Sequence, residues 1–299
     1  MPQAHRFTSA ELEQYHRDGY VVVEQLIPPA LLAGADAAIQ EVTAAALASE
    51  SFVDILELEP APADGKPTPR RIYNPFQAHE AFRAMAIEEA VLGRIEQLIG
   101  GDFAMQHSKL NMKPARVGSV VEWHQDLTYF PHTNDDLVTT LIYLDDATIE
   151  NGCLQVLPGK QSGYLNHANA DGSFAGMITD DIESAGTPTP LPAPAGSVIF
   201  MHCLTPHASL PNRSPSPRRT FIFEYRAADA YPLYFGKQVV RNESFAVHLR
   251  GEQKRFARFG KVAPMIPAFD GMVSSLYDLQ QKTKSRSDFA HATLSDEGQ

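Results

Sequence analysis

Phe103-Ala104-Met105-Gln106-His107-Ser108-Lys109-Leu110-Asn111-Met112-Lys113 is the first of a series of short apolar or alternating runs that fill the chain beyond Gly101. Leu137 to Leu144, Cys153 to Leu157, Ser197 to Met201 and Arg219 to Tyr225 follow it, each bounded by turn residues. Short strands punctuated by turns predict an all-β sandwich or barrel. Upstream the texture is helical. Thr8-Ser9-Ala10-Glu11 reads as a capping box opening a helix that Gly19 closes, and Val21-Val22-Val23 as a strand. Behind Pro28 and Pro29, the apolar residues Leu31, Leu32, Ala35, Ile39 and Val42 recur at helical spacing. A third helical pattern runs from about Glu80 to Ile99, with Phe82, Met85, Leu92, Ile95 and Leu98 on one stripe and Gly100-Gly101 as its stop. The predicted fold is therefore mainly β, with the N-terminal helices packed on one sheet.

Other segments carry weaker patterns. Glu59 to Thr68 is dominated by Pro, Ala, Asp and Gly and reads as a mobile loop, with a place near a pocket mouth. A basic stretch holds Arg250, Lys254, Arg255, Arg258 and Lys261, and the polar tail from Lys282 reads as disordered. The chain has 299 residues, 43% hydrophobic and 20% charged, the ordinary globular range. A formal charge of −11 disfavours a broad nucleic-acid or anionic-membrane surface and points to a small-molecule or protein partner. The opening residues show no signal-peptide core, and no run of about 18 apolar residues is evident. The expected location is cytoplasmic. Cys153 and Cys203 lie in apolar runs and read as buried thiols.

His124-Gln125-Asp126 is the first half of a possible iron site, which two imidazoles and one carboxylate on one face of the metal would make. The triplet is weak alone, and His16-Arg17-Asp18 repeats its spacing. That second triplet lies in a predicted helix, where residues two apart face away from each other. In an extended segment they point the same way, which favours His124 and Asp126 after the strand-like run Ser119 to Trp123. A third ligand would come from Met201-His202-Cys203-Leu204-Thr205-Pro206-His207, which offers two histidines. Eleven residues past His207, Arg218 opens another strand, where a guanidinium can clamp a carboxylate.

The blocks His124 to Pro131 and Asn151-Gly152-Cys153-Leu154-Gln155-Val156-Leu157-Pro158-Gly159, followed by His207, Ser209, Asn212 and Arg218, resemble the phytanoyl-CoA dioxygenase family over roughly residues 5 to 230. The resemblance implies a double-stranded β-helix, or jelly roll, holding Fe(II) and using 2-oxoglutarate and dioxygen. It implies His124, Asp126 and His207 as the iron ligands and Arg218 on the distal carboxylate of 2-oxoglutarate, with Lys113 and Ser209 as further contacts. A single domain is expected, with a core at about 101–230, a helical part at about 8–100 and a C-terminal extension at about 236–299. The reaction would yield succinate and carbon dioxide while oxidising a substrate, and Asp126 argues for hydroxylation over halogenation, since halogenating members lack that carboxylate.

Tyr129, Phe130, Tyr73 and Arg71 are candidate pocket residues. A CoA thioester would need basic residues for its phosphates, which Arg70, Arg71 or the Arg250 to Lys261 stretch can supply, although such charges ordinarily form a solvated face. A free metabolite or natural-product intermediate is the preferred substrate. Two other classes share these ingredients: a metal-dependent hydrolase or isomerase, and a non-enzymatic jelly-roll binding module. Arg218 argues against the first, because hydrolysis needs no keto-acid clamp, and an intact ligand set argues against the second.

Overall fold

The capping box forms as read: the Thr8 hydroxyl accepts from the Glu11 N–H, the Glu11 side chain reaches back, and Ser9–Asp18 (α1) ends at Gly19 with φ 82°. The computed structural model describes residues 3–49, 54–60, 65–233, 244–267 and 275–285. Residues 61–64 of the proposed mobile loop fall outside them, and so do residues 286–299 of the polar tail.

The described strands are β1 (Tyr20–Val23), β2 (Leu56–Leu58), β3 (Pro69–Tyr73), β4 (Phe103–Lys113), β5 (Val121–His124), β6 (Leu137–Tyr143), β7 (Leu154–Val156), β8 (Thr189–Pro190), β9 (Val198–His202), β10 (His207–Ser209), β11 (Arg218–Ala227) and β12 (Val247–Arg250). They build two antiparallel sheets. The eight-stranded one runs β1-β9-β6-β11-β4-β3-β2, with β12 also on β4, and the four-stranded one runs β5-β10-β7-β8. β4 is long enough to take β3 beside Lys109 to Asn111 and β12 beside Phe103 to Met105. Strands from outside residues 101–230 therefore extend the core on both sides, and the N-terminal part is not helical alone.

Helices cover one face of the large sheet. Pro29–Leu47 (α2), Glu80–Ala86 and Glu89–Ile99 supply Ala38, Ile39, Phe82, Met85 and Ile95 to a cluster with Phe200, Phe221, Phe223 and Tyr225. Each fully buried large side chain contributes about 1.5 to 3 kcal/mol. The single helix predicted from Glu80 to Ile99 is broken at Ile87 and Glu88. Met85 and Val91 are both fully buried, yet residues six apart on one straight helix point roughly 120° apart. The break lets both face the sheet. Pro29–Leu47 is long and apolar enough by length and composition to cross a membrane, which inspection for an unbroken apolar run passed over. Asp36 and Glu41 interrupt it, and its alanine-rich face packs into the cluster just described.

The second core lies between the sheets, where Tyr20, Leu141, Tyr143, Leu154, Val156, Ile199 and Met201 meet. A further helix, Leu276–Lys284, lies where sequence inspection expected the disordered tail to begin. Its Gln280 accepts from the Glu122 N–H at 3.1 Å and donates to the Gly176 carbonyl at 3.0 Å, so it is tied to β5 and the neighbouring loop.

Candidate active site

β5 ends on His124 and β10 begins on His207, and these two residues are partners on one antiparallel rung. The pairing sets the imidazoles side by side, with ring centroids 4.1 Å apart. His124 Nδ1 is 2.8 Å from the Glu122 carbonyl and His207 Nδ1 is 3.0 Å from the Thr205 carbonyl. A carbonyl only accepts, so each Nδ1 carries the proton and each Nε2 presents a lone pair. Both Nε2 atoms face Asp126 Oδ1, at 3.8 and 3.7 Å, and one ligand atom from each of the three buried residues lies within 4.8 Å of the others. Burial, and then His207, hold His124 well below the usual histidine value, in the neutral form a metal requires. Asp126 does not continue the strand as expected; it opens a 3-10 turn, Asp126–Thr128, which folds its carboxylate back to the imidazoles. Buried Gln125 fixes that turn, donating to the Gly163 and Leu204 carbonyls at 2.8 and 2.6 Å and accepting from Leu165 N–H at 2.8 Å.

The other candidate ligands stand apart. His202 accepts from Leu204 N–H at 3.1 Å and faces Asp135 at 3.9 Å, while His16 and Asp18 lie on α1. A buried set of two imidazoles and one carboxylate matches a facial Fe(II) site with open positions.

Arg218 projects from the large sheet into the space between the sheets. Its Nη1 donates to Thr220 Oγ1 at 2.7 Å and its Nη2 to the Gly152 carbonyl at 2.6 Å, while Nε is buried without a partner. An orphaned, buried guanidinium N–H is what a carboxylate cosubstrate would satisfy. Gly152 is required here: its φ is 76°, and a Cβ would stand 2.2 Å from the Leu210 carbonyl oxygen. Arg219 points the other way and is held by Asp145, at 2.7 Å, and by Asp36. Ser209 is buried two residues beyond His207 on β10. Lys113, the rung partner of Arg218, is no solvated charge: it is 3% exposed. Its ammonium contacts the carbonyls of Ser119, Leu210 (2.7 Å) and Ser209 (3.5 Å), which commits its donors to backbone. Burial and the Arg218 charge hold its pKa well below the usual lysine value.

Thr139 on β6 is a residue that sequence inspection missed. Its hydroxyl lies 2.8 Å from Asp126 Oδ2 and 2.7 Å from Glu224 Oε2. One hydroxyl hydrogen cannot serve two carboxylates, so one of the pair is an acid. Glu224 is that acid, its pKa pushed up to about 8 by burial and by the Asp126 charge. Glu224 Oε1 has no hydrogen bond, and Lys109 Nζ and His107 Nε2 each stand 3.9 Å from it. Strand parity alone places Glu224 on the Arg218 side of β11, but no local signal reveals Thr139.

Of the predicted pocket residues, Tyr129 meets the His124 ring edge to face at 5.7 Å and donates to the Gly176 carbonyl. Phe130 packs on His107 at 5.0 Å and also joins a small core with Leu127, Leu137 and Leu204. Tyr73 donates to Glu57 at 2.8 Å, and Arg71 gives Nε to Asn111 at 2.8 Å. Arg70 and Arg71 are 8% and 3% exposed, contrary to a solvated face, and both lie over the ring of Tyr277 at 4.1 and 4.8 Å. The basic stretch does form such a face: Arg250 pairs with Glu89 and Glu96, Lys254 with Asp102, and Arg258 with Asp136 and Asp229.

Two antiparallel sheets with a two-histidine, one-carboxylate cluster and a buried arginine between them define an iron(II)- and 2-oxoglutarate-dependent dioxygenase, and the known relatives agree. The family description "Phytanoyl-CoA dioxygenase (PhyH)" matches residues 15–220, and the chain belongs to that family. It is 31% identical over 226 residues to a probable alpha-ketoglutarate-dependent hypophosphite dioxygenase of Stutzerimonas stutzeri, covering 74% of this chain and 79% of the relative. It is 28% identical over 195 residues to an L-proline trans-4-hydroxylase of Streptomyces griseoviridis, covering 57% and 72%. Among solved structures, the Fe-bound EctD of S. alaskensis superposes with a TM-score of 0.66 at 20% identity, covering 84% of this chain and 89% of that one. The carbocyclase SnoK from nogalamycin biosynthesis superposes at 0.64 and 22%, covering 84% and 97%. At such identities these two structures show a shared fold.

Proposed function

We propose that this chain is a single-domain cytoplasmic oxygenase with a jelly-roll core, in which His124, Asp126 and His207 hold Fe(II) and Arg218 receives the distal carboxylate of 2-oxoglutarate. Two observations support the reading: the His124, Asp126 and His207 ligand atoms lie within 4.8 Å of one another, and the buried Arg218 Nε has no hydrogen-bond partner. Ser209 flanks that space on the His207 strand, and Lys113 shapes it by fixing the Leu210 backbone. Iron held by His124, Asp126 and His207 would supply the oxidising chemistry, with 2-oxoglutarate and dioxygen as cosubstrates. Tyr129 and the sheet interior keep water out, and Arg218 orients the cosubstrate by charge-assisted hydrogen bonding.

The substrate of this reading is a small molecule, hydroxylated with release of succinate and carbon dioxide. Relatives named for hypophosphite, proline, ectoine and methylphosphonate support that size class. Anaerobic titration of the Fe(II) protein with 2-oxoglutarate tests it: bidentate chelation gives a metal-to-ligand charge-transfer band, and admitting oxygen gives succinate. Iron-loaded protein that shows neither would overturn the assignment and return the zinc hydrolase reading.

A further inference from the structure

Lys109, Asn111 and Lys113 alternate along the face of β4 that looks toward the triad, and the rungs pair Arg71 with Asn111 and Tyr73 with Lys109. This face holds more positive than negative charge near the iron site. Glu57 is engaged by Arg70 at 2.6 Å and by the Tyr73 hydroxyl at 2.8 Å, which leaves Arg71 only a 3.9 Å approach to it. Glu224 is the carboxyl nearest to Lys109 but stands beyond hydrogen-bond distance of it. Among the described residues, the Lys109 ammonium makes no hydrogen bond; it stands 3.9 Å from Glu224 and 5.9 Å from the centre of the Phe130 ring. Arg70 and Arg71 thus share one carboxylate, Glu57, and the partly buried Lys109 has no carboxylate within hydrogen-bond distance among the described residues. Burying charge without compensation costs several kcal/mol per ion, so such an arrangement persists where a ligand supplies the counter-charge.

We infer that the primary substrate carries a small oxyanion, a carboxylate or a phosphonate-type group, which Lys109 and the terminal nitrogens of Arg71 hold beside the triad while the neighbouring bond is oxidised. This deepens the iron and 2-oxoglutarate reading and rests on it. The depth of the cations sets the size: Arg71 is 3% exposed beneath the Tyr277 ring, a place for a compact anion and not for the several phosphates of a CoA thioester. The site is distinct from the cosubstrate end, where Arg218 and Lys113 form their own rung.

The test uses the full-length Fe(II) protein with 2-oxoglutarate, first without oxygen and then with it. Methylphosphonate, propionate and the neutral propionamide are titrated while the charge-transfer band and 2-oxoglutarate consumption are followed. One of the two anions should perturb the band and accelerate consumption, and which one does so distinguishes the two oxyanion chemistries; propionamide should do neither. Lys109→Met and Arg71→Gln should each raise the anion's half-saturation by roughly 10-fold or more, the loss expected for one charge-assisted contact. The affinity for 2-oxoglutarate should stay within about twofold, and Lys109→Arg should restore most of the response. A response to propionamide equal to that of the anions, an unchanged half-saturation in Lys109→Met, or no response to either anion in protein that forms the band would overturn the inference. Protein that never forms the band fails the iron and 2-oxoglutarate reading first, a separate result that removes the inference with it.

Discussion

Arg218 and Arg219 are adjacent in the chain and face opposite sides of β11: one is bonded to Thr220 and Gly152, the other to Asp145 and Asp36 at the helix-covered face. Arg218→Ala should weaken 2-oxoglutarate binding by roughly 30- to 1,000-fold, or about 2 to 4 kcal/mol, while iron binding survives. Arg219→Ala should leave cosubstrate affinity near native and lower stability by about 1 kcal/mol or less, because its partners are partly solvated. Paired affinity measurements decide it, and a large loss at Arg219 alone would show that the faces have been exchanged.

The rung that pairs His207 with His124 makes a second expectation specific. His207→Ala should lose stoichiometric iron, and His202→Ala, whose ring faces Asp135, should keep it. Metal analysis of the two purified variants checks this; the reverse pattern would assign the third ligand to His202.

Thr139 transmits between a carboxylate and a carboxylic acid. Thr139→Val keeps the shape and removes the hydrogen bond that orients Asp126, so iron affinity should fall by roughly 10- to 100-fold, as when a ligand's supporting partner is lost.

Glu224 adds a dependence on pH. Its folded pKa, about 8, lies above the ordinary 4.5, so its neutral form stabilises the metal-free protein fully below the ordinary value. That stability is lost as pH rises from 4.5 through about 8. Glu224→Gln, which mimics the acid, should flatten the denaturation midpoint of the metal-free protein across this window. An unchanged slope would mean that the proton resides elsewhere.

Tyr277 lies over both Arg70 and Arg71. Tyr277→Ala should raise the KM for the primary substrate by roughly 2- to 30-fold, the range of a cation–π contact, while Tyr277→Phe should not. Equal losses in 2-oxoglutarate affinity would instead mean that the helix holds the whole site together.

The sequence was most legible where one period ran undisturbed. The eleven residues of β4 and the opening of α1 at Thr8 were read correctly because alternation and a capping box are local. The candidate triad was legible through the family's ordered blocks, since His-x-Asp alone recurs at His16 and Asp18, yet the reason Asp126 reaches the imidazoles, a 3-10 turn, was not. Thr139, Lys109 and Tyr277 were missed for a common reason: each acts through a partner distant in sequence, and a threonine, lysine or tyrosine has many unremarkable places in a sheet or tail. Lys113 shows the converse, since a lysine that ends a strand looks solvated until Ser119 and Leu210 close over it.

The helix Leu276–Lys284 is the last described element to be synthesised, and it sets Tyr277 over the arginines and Gln280 and Lys284 on Glu122. Chains fold from the N-terminus as they emerge, at about 5 to 20 residues per second. Both sheets and all three triad residues therefore precede this wall by seconds. During that interval the nascent chain carries the His124, Asp126 and His207 side chains without the helix that covers Arg70 and Arg71, so among the described elements the wall over the arginines is the last to be added.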